Sequence, residues 1–205
     1  MNREPTIFVV DDEPDVRAAL NMLIKSVGLK PEIYATPQAY LDAYDPERPG
    51  CLVLDMRMPG MSGLELQQKL ANQGLHPPII MISGHGEIPN AVQAVQSGAI
   101  DFLQKPVSDQ LLLDRIQQAL RLDAENRKNY REHRTLEERY TLLTPREREV
   151  MRGVLAGKLN KIIADELNVS TRTVEIHRSH VMEKMQAASL SALVSMSNQM
   201  DEFKA

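Results

Sequence analysis

The sequence contains a single cysteine, Cys51, and no tryptophan. One cysteine excludes an internal disulfide and favours a reducing compartment. No apolar run approaches the ~18 residues that a membrane-spanning helix needs. The N-terminal segment MNREPTIFVVDDEP also lacks the apolar core of a signal peptide. These absences predict a cytoplasmic protein without a membrane partner.

The composition of the 205 residues is otherwise that of a folded protein. A hydrophobic fraction of 42% is enough to build a core, which excludes disorder as the main state. The length predicts one large domain or two small ones. Acidic side chains exceed basic ones up to Asp123, whereas the rest of the chain is mildly basic. This asymmetry fits a DNA-facing C-terminal part attached to an acidic partner domain.

Short apolar segments alternate with helical patterns in the first half of the chain. Five of these segments are rich in β-forming residues, which predicts a parallel sheet covered by helices on both faces. We therefore predict an α/β domain with a doubly wound (βα)5 sheet. The predicted strands are TIFVV (6–10), PEIYA (31–35), CLVLD (51–55), PIIMIS (78–83) and AIDFLQK (99–105).

Polar side chains stand where these strands end. Asp11 and Asp12 follow the first strand, Asp55 closes the third, Ser83 closes the fourth, and Lys105 stands beside the fifth. Because the carboxyl ends of parallel strands meet at one edge of a sheet, these side chains should converge. This convergence is the strongest indication of a functional site in the chain.

The predicted cluster has the chemistry of phosphoryl transfer. Three converging carboxylates repel one another, and a divalent cation removes that penalty. Oxygen ligands favour a hard ion, so Mg²⁺ (or Mn²⁺) is the expected cofactor. Lys105 and Ser83 would hold phosphoryl oxygens, which leaves Asp55 as the carboxylate that attacks phosphorus.

These residues lie in motifs that resemble the receiver domains of two-component response regulators. The resemblance implies a receiver domain at residues 1–122, whose Asp55 is phosphorylated by a sensor histidine kinase. It also implies that Asp11, Asp12, Asp55 and the backbone carbonyl of Arg57 surround the Mg²⁺ ion. The motifs are VVDDEP, VLDMRMPGMSG, MISGHG and FLQKPV.

The same resemblance implies switch roles for Ser83 and Phe102. Phosphorylation would draw the Ser83 hydroxyl towards the phosphoryl group and let Phe102 turn inward. A plain packing role stays open for Phe102, because this side chain has no hydroxyl to fix its position. The bond between Lys105 and Pro106 is usually cis in this family.

A helical linker is predicted at residues 123–141. Residues 108–143 contain no glycine and no proline, and Ser108 is a suitable helix cap. Apolar residues recur at helical spacing, so the segment is either one long helix or two helices in line. A charged helix exposed to solvent needs no signalling role, and the function of the linker stays open.

Residues 142–205 have the pattern of an all-α, four-helix domain. A capping box of Thr144 and Glu147 opens the first helix. A second short helix (158–169) follows, then a longer helix capped by Ser170, and a fourth helix closes the domain. Two short helices before a longer capped one predict a helix-turn-helix. The segments LTPREREV and GKLNKIIADELNVSTRTVEIHRSHVMEKM resemble LuxR-type output domains, and the whole chain resembles the NarL/FixJ subfamily.

The longer helix is the predicted DNA-recognition helix, with its N-terminal half in the major groove. Glu175 could accept from a cytosine amino group, and Ile176 could contact a thymine methyl group. Some relatives carry lysine at the positions of Glu175 and Ser179, so base preference stays open, and Glu175 could equally be a solvated carboxylate. The predicted DNA-binding residues are Lys161, Arg172, Thr173, Glu175, Ile176, Arg178 and Ser179, of which Lys161 and Arg178 would contact phosphates.

The predicted function is transcription regulation under phosphorylation control. The expected partners are a sensor histidine kinase, an inverted-repeat DNA operator, a second copy of the chain after phosphorylation, and RNA polymerase if the protein is an activator, to which the family leans. A phosphatase is the first rival, but Asp55-Met56-Arg57 lacks its acid-x-acid arrangement. A regulator that binds DNA constitutively is the second, although no acid, hydroxyl or lysine of the cluster is missing.

Overall fold

A computed structural model of the chain describes residues 4–84 and 88–200. The end of the MISGHG motif and residues 201–205 of the predicted C-terminal domain lie outside this range. The chain divides into two compact units, Met1–Asn126 and Arg127–Ala205. The predicted boundaries at residues 122 and 141 remain predictions.

The first unit is built on a parallel sheet of five strands. They are β1 (Thr6–Val10), β2 (Lys30–Tyr34), β3 (Gly50–Asp55), β4 (Ile79–Ser83) and β5 (Asp101–Gln104). The strand order is β2-β1-β3-β4-β5, and every neighbouring pair is parallel, which confirms the predicted (βα)5 sheet. The fifth strand is shorter than predicted, because the Ala99 amide donates to the Ala94 carbonyl and closes the helix before it.

Helices cover both faces of this sheet. They are α1 (Pro14–Ser26), α2 (Pro37–Ala43), α3 (Gly63–Asn72), α4 (Ile88–Gln96) and the first part of α5 (Asp109–Thr141). Successive side chains of a strand point to opposite faces. Ile7 and Val9 therefore pack with α1 and α5, whereas Phe8 and Val10 pack with α2, α3 and α4. Burial on both faces explains why β1, β3 and β4 are almost entirely apolar.

Helix α5 is one helix of 33 residues, which answers the choice that the sequence left open. In the first unit, its Leu112 and Ile116 belong to the sheet core. Asp123 is also buried there, and its carboxylate accepts a hydrogen bond of 2.9 Å from the Gly50 amide. In the second unit, Leu136 and Tyr140 of the same helix are buried in the core.

Up to residue 200, the second unit contains four helices after α5. They are α6 (Pro145–Leu155), α7 (Asn160–Leu167), α8 (Thr171–Lys184) and α9 (Leu190–Ser197). The capping box of Thr144 and Glu147 is present, and Ser170 and Ser189 cap α8 and α9 as predicted. Asn168 ends α7 with a left-handed backbone (φ 53°), which turns the chain sharply into α8. No helix in the described part of the chain is both long and apolar enough to cross a membrane.

Candidate functional site

The carboxyl end of the parallel sheet holds two buried carboxylates joined by one lysine. The Lys105 Nζ lies 2.8 Å from Asp11 Oδ2 and 2.8 Å from Asp55 Oδ1. Asp11 and Asp55 are 1% and 5% exposed, so both charges are removed from bulk water. Asp11, Asp55 and Lys105 therefore lie in contact, as predicted from the sequence.

Backbone groups and one exposed acid complete the surroundings of these three side chains. The Arg57 amide donates to Asp55 Oδ2 at 2.7 Å, and the Glu13 amide donates to Asp11 Oδ1 at 2.9 Å. Glu13 also reaches Lys105, with its Oε1 3.2 Å from the Nζ. Each carboxylate thus has one oxygen on the lysine and one oxygen on a backbone N–H.

The remaining predicted residues lie around this cluster at different depths. Ser83 is buried at the end of β4, and its carbonyl accepts a 2.7 Å hydrogen bond from the Lys105 amide. Phe102 is half-buried on β5 and packs against the α2–α3–α4 side of the core. Asp12 is half-buried, and the Arg57 side chain is exposed. The bond between Lys105 and Pro106 is cis, as expected from the resemblance.

The two buried carboxylates of the site carry more negative charge than the single Lys105 ammonium neutralises. Burial raises the pKa of Asp55 above its ordinary value, and the negative charge of Asp11 adds to this, whereas Lys105 lowers it. Burial acts to lower the pKa of Lys105, but its hydrogen bonds to Asp11 and Asp55 outweigh burial and raise that pKa. One ammonium shared between two buried carboxylates leaves a net negative charge at this edge of the sheet.

This residue set fits a hard divalent cation. Mg²⁺ is usually held by one or two carboxylates, with waters and phosphate oxygens as its other ligands. Among the described residues, Asp11, Asp12 and Asp55 do not form a group whose three ligand oxygens all lie within 4.8 Å of one another. Lys105 instead bridges Asp11 and Asp55, and the surplus negative charge favours a dication beside them.

A glycine fixes the chain that follows Asp55 at the end of β3. The Gly63 amide donates to the Met56 carbonyl at 2.9 Å, which brings the start of α3 against the end of β3. A Cβ atom at Gly63 would lie 2.3 Å from the Asp55 carbonyl oxygen. No side chain fits there without moving the Asp55 backbone, so this glycine positions the site.

The predicted recognition helix α8 presents most of its candidate DNA contacts to solvent. Arg172, Glu175, Ile176 and Ser179 are exposed, as is Lys161 on α7. Arg172 and Glu175 form an ion pair at 3.3 Å. The two less exposed candidates also have local partners: Thr173 lies in the Ser170 cap, and Arg178 Nη1 donates to Asn160 Oδ1 at 3.0 Å.

Two family descriptions match the chain, one for each unit of the fold. Residues 7–117 match the family described as response regulator receiver domain. Residues 141–197 match the family described as bacterial regulatory proteins, luxR family. The chain belongs to the response regulators of the NarL/FixJ subfamily. Members combine a receiver domain with a LuxR-type helix-turn-helix domain, and this combination supports two-component transcription regulation.

Individual response regulators resemble the chain over almost its whole length. The response regulator protein TmoT of Ectopseudomonas mendocina is 44% identical over 193 residues, which cover 94% of this chain and 88% of the relative. The transcriptional regulatory protein FixJ of Bradyrhizobium diazoefficiens is 42% identical over 194 residues, 95% of each chain.

Solved structures of response regulators also resemble the chain over almost its whole length. A low-resolution structure of the response regulator StyR matches with a TM-score of 0.88 and 44% identity, over 96% of this chain and 99% of that one. A crystal structure of full-length FixJ from B. japonicum matches with a TM-score of 0.59 and 41% identity, over 97% and 98%.

Three contributors to the receiver site were missed by reasoning from sequence. Glu13 contacts Lys105, Arg17 Nη1 donates to the Asp11 carbonyl at 2.8 Å, and Gly63 allows the close approach behind Asp55. Glu13 stands inside the VVDDEP motif and could have been suspected. Gly63 also stands inside a motif, VLDMRMPGMSG, whereas Arg17 acts on a backbone atom, for which residue type and spacing carry no signal.

Proposed function

We propose that this response regulator accepts a phosphoryl group on Asp55 from a sensor histidine kinase, then dimerises and binds an inverted-repeat operator to regulate transcription, with activation as the expected direction. The observation that carries the proposal is the buried Asp11–Lys105–Asp55 bridge at the carboxyl end of the sheet. We expect no turnover of an external substrate, because the phosphoryl acceptor is part of the protein.

The geometry supports an in-line transfer to Asp55. A carboxylate oxygen of Asp55 forms a bond to phosphorus, the P–N bond of the kinase's phosphohistidine breaks, and the imidazole leaves with the bonding electrons. Lys105 stabilises the charge on the transferred oxygens, since its ammonium already lies 2.8 Å from Asp55 Oδ1. Asp11, Asp12, Asp55 and the Arg57 carbonyl would hold Mg²⁺, which supplies further charge neutralisation.

The change at Asp55 would reach the surface through β4 and β5. Ser83 closes β4, and its carbonyl is bonded to the Lys105 amide, so both phosphate-binding side chains are tied to the same pair of strands. We propose that the Ser83 hydroxyl turns to the phosphoryl group and that half-buried Phe102 fills the space released. Phe102 lies at the margin of the core, where it is partly buried.

The surface of α4, β5 and the start of α5 is the proposed dimer face. Val92, Val95 and Leu111 are exposed there, at 49%, 51% and 39%. Exposed apolar side chains that gather on one face favour association. Two copies would present two α8 helices to two half-sites, and the pair supplies affinity that a mildly basic single domain lacks.

Phosphate uptake and self-association test the proposal together. Wild type and Asp55→Asn would be incubated with Mg²⁺ and acetyl phosphate, with Asp42→Asn on α2 as the matched carboxylate control. We expect a base-labile phosphate and a shift from monomer to dimer by analytical ultracentrifugation in wild type and Asp42→Asn. Equal phosphate uptake or equal dimerisation in Asp55→Asn would contradict the proposal.

A further inference from the structure

The second unit contains a group of ligating side chains that the proposed function does not use. Glu147, His177 and His180 each offer one ligand atom, and these three atoms lie within 4.8 Å of one another. Glu147 stands in the first turn of α6, and the two histidines are three residues apart on α8, so they share one face of that helix. Helices α6 and α8 pack against each other, which brings the three donors together.

The Glu147 carboxylate has one oxygen available for a further partner. Its Oε2 accepts from the Thr144 amide at 2.8 Å and from Lys184 Nζ at 2.6 Å. Its Oε1 lies 3.4 Å from His180 Nδ1, longer than an ordinary hydrogen bond. Glu147 is 3% exposed, and its carboxylate is held in place by the Thr144 amide and by Lys184.

The two imidazoles differ in exposure in a way that suits an ion entering from solvent. The Nδ1 atom of His177 is buried and has no hydrogen-bond partner among the described residues. Buried polar atoms in native proteins almost always have a hydrogen-bond partner or a ligand, so we expect this nitrogen to bind one. The His180 side chain is 50% exposed, which leaves an open path to the site.

We propose that Glu147, His177 and His180 bind a divalent transition-metal ion of the zinc type. Two imidazoles and one carboxylate are a ligand set that Zn²⁺ accepts, with water in the fourth position. The bound ion ties the first turn of α6 to the predicted recognition helix α8. Lys184 occupies the other oxygen of Glu147, and its positive charge keeps the affinity moderate.

The metal site is tested in the full-length chain with Co²⁺ as the spectroscopic probe and Zn²⁺ as the calorimetric one. A large excess of Mg²⁺ is added to compete for the carboxylates at the sheet edge. His180→Ala is the deciding variant, because half of this side chain is exposed and its removal should not unfold the unit. His133→Ala is the matched control, since His133 of the same unit also lies beside a glutamate, with its Nδ1 3.5 Å from Glu137 Oε1.

We expect one ion per chain, visible Co²⁺ absorption bands of a low-coordinate nitrogen–oxygen site, and zinc affinity at least about 100-fold weaker in His180→Ala. His133→Ala should bind as wild type does. His177→Ala should also lose the ion while its far-ultraviolet circular dichroism stays unchanged. Binding of equal affinity in wild type and His180→Ala, or no binding beyond the Mg²⁺-protected sites, would overturn the proposal.

Discussion

Each unit of the protein holds a buried carboxylate in contact with a lysine, and the pKa values of these two carboxylates, Asp55 and Glu147, shift in opposite directions. At the sheet edge, Asp55 shares Lys105 with Asp11, and burial raises the pKa of Asp55. In the second unit, burial also acts to raise the pKa of Glu147, but Lys184 and the Thr144 cap outweigh it and lower that pKa to about 2.

The difference lies in how many buried carboxylates each lysine contacts. Lys184 and the Thr144 backbone amide both donate to the single Glu147 carboxylate, so the charge of Glu147 is stabilising. Lys105 contacts two buried carboxylates, so the charge of Asp55 destabilises the folded state. A buried carboxylate that shares its lysine with a second carboxylate gains from a nearby dication, whereas one that has a lysine to itself supports the fold.

The largest effect is expected from neutralising Glu147. Glu147→Gln keeps the capping geometry, because glutamine also serves in a capping box, but it leaves Lys184 without its partner. We expect the second unit to lose about 2 kcal/mol of unfolding free energy, measured by hydrogen exchange of the α6 and α8 amides in EDTA. Glu166→Gln, at the exposed Lys158–Glu166 pair, is the control and should lose less than about 1 kcal/mol.

Acid should reproduce that loss in the wild-type protein. The pKa of Glu147 is about 2 in the folded protein, below the ordinary 4.5. As the pH falls, Glu147 therefore binds a proton in the unfolded chain at a higher pH than in the folded one. The stabilisation is therefore complete above pH 4.5 and disappears as the pH falls towards 2, by an amount on the order of 2 kcal/mol. Urea unfolding of the second unit at stepped pH values measures it. A Glu147→Gln variant with the same pH profile would show that another group is responsible.

Neutralising Asp55 should have the opposite sign and a smaller size. A carboxyl whose pKa is raised by burial is easier to charge in the unfolded chain, so its charge destabilises the folded unit at neutral pH. We expect Asp55→Asn to raise the midpoint of thermal unfolding of the first unit in the absence of Mg²⁺. A lower midpoint would mean that the Lys105 contact outweighs burial, and the contrast between the two pairs would fail.

The smallest effects are expected at the surface of α8. Arg178→Ala should weaken binding to all DNA sequences alike. It should also reduce the slope of log affinity against log salt concentration by about 1 in magnitude, as for the loss of one phosphate contact. Glu175→Gln should leave that slope unchanged and alter base preference. Fluorescence anisotropy over a salt series, with specific and unrelated DNA, separates the two results.

The two pairs also show what sequence can and cannot predict. Asp55 and Lys105 lie 50 residues apart, yet their meeting follows from the rule that parallel strands end at one edge of a sheet. Glu147 was predicted only as a cap, because its bond to Lys184 depends on how α6 crosses α8. No periodicity of either helix encodes that crossing, and the grouping with His177 and His180 was missed for the same reason.

The same contrast holds for the elements themselves. The parallel sheet follows from five apolar segments, and the caps of α6, α8 and α9 follow from Thr144, Ser170 and Ser189. The continuity of α5 could not be decided, because charged residues after Asp123 are compatible with a helix or a break. It is helical throughout, with Asp123 buried in one unit and Leu136 and Tyr140 buried in the other.

The central claim is that the state of Asp55 controls DNA binding, and selection of bound fragments from random DNA tests it directly. The full-length protein would be used with Mg²⁺, with and without beryllofluoride as a phosphoryl mimic, and with Asp55→Asn as the control. We predict an inverted repeat that is enriched only by wild type and only with the mimic. Equal enrichment with and without the mimic would contradict control by phosphorylation, and no enrichment in either condition would contradict DNA binding by the chain alone.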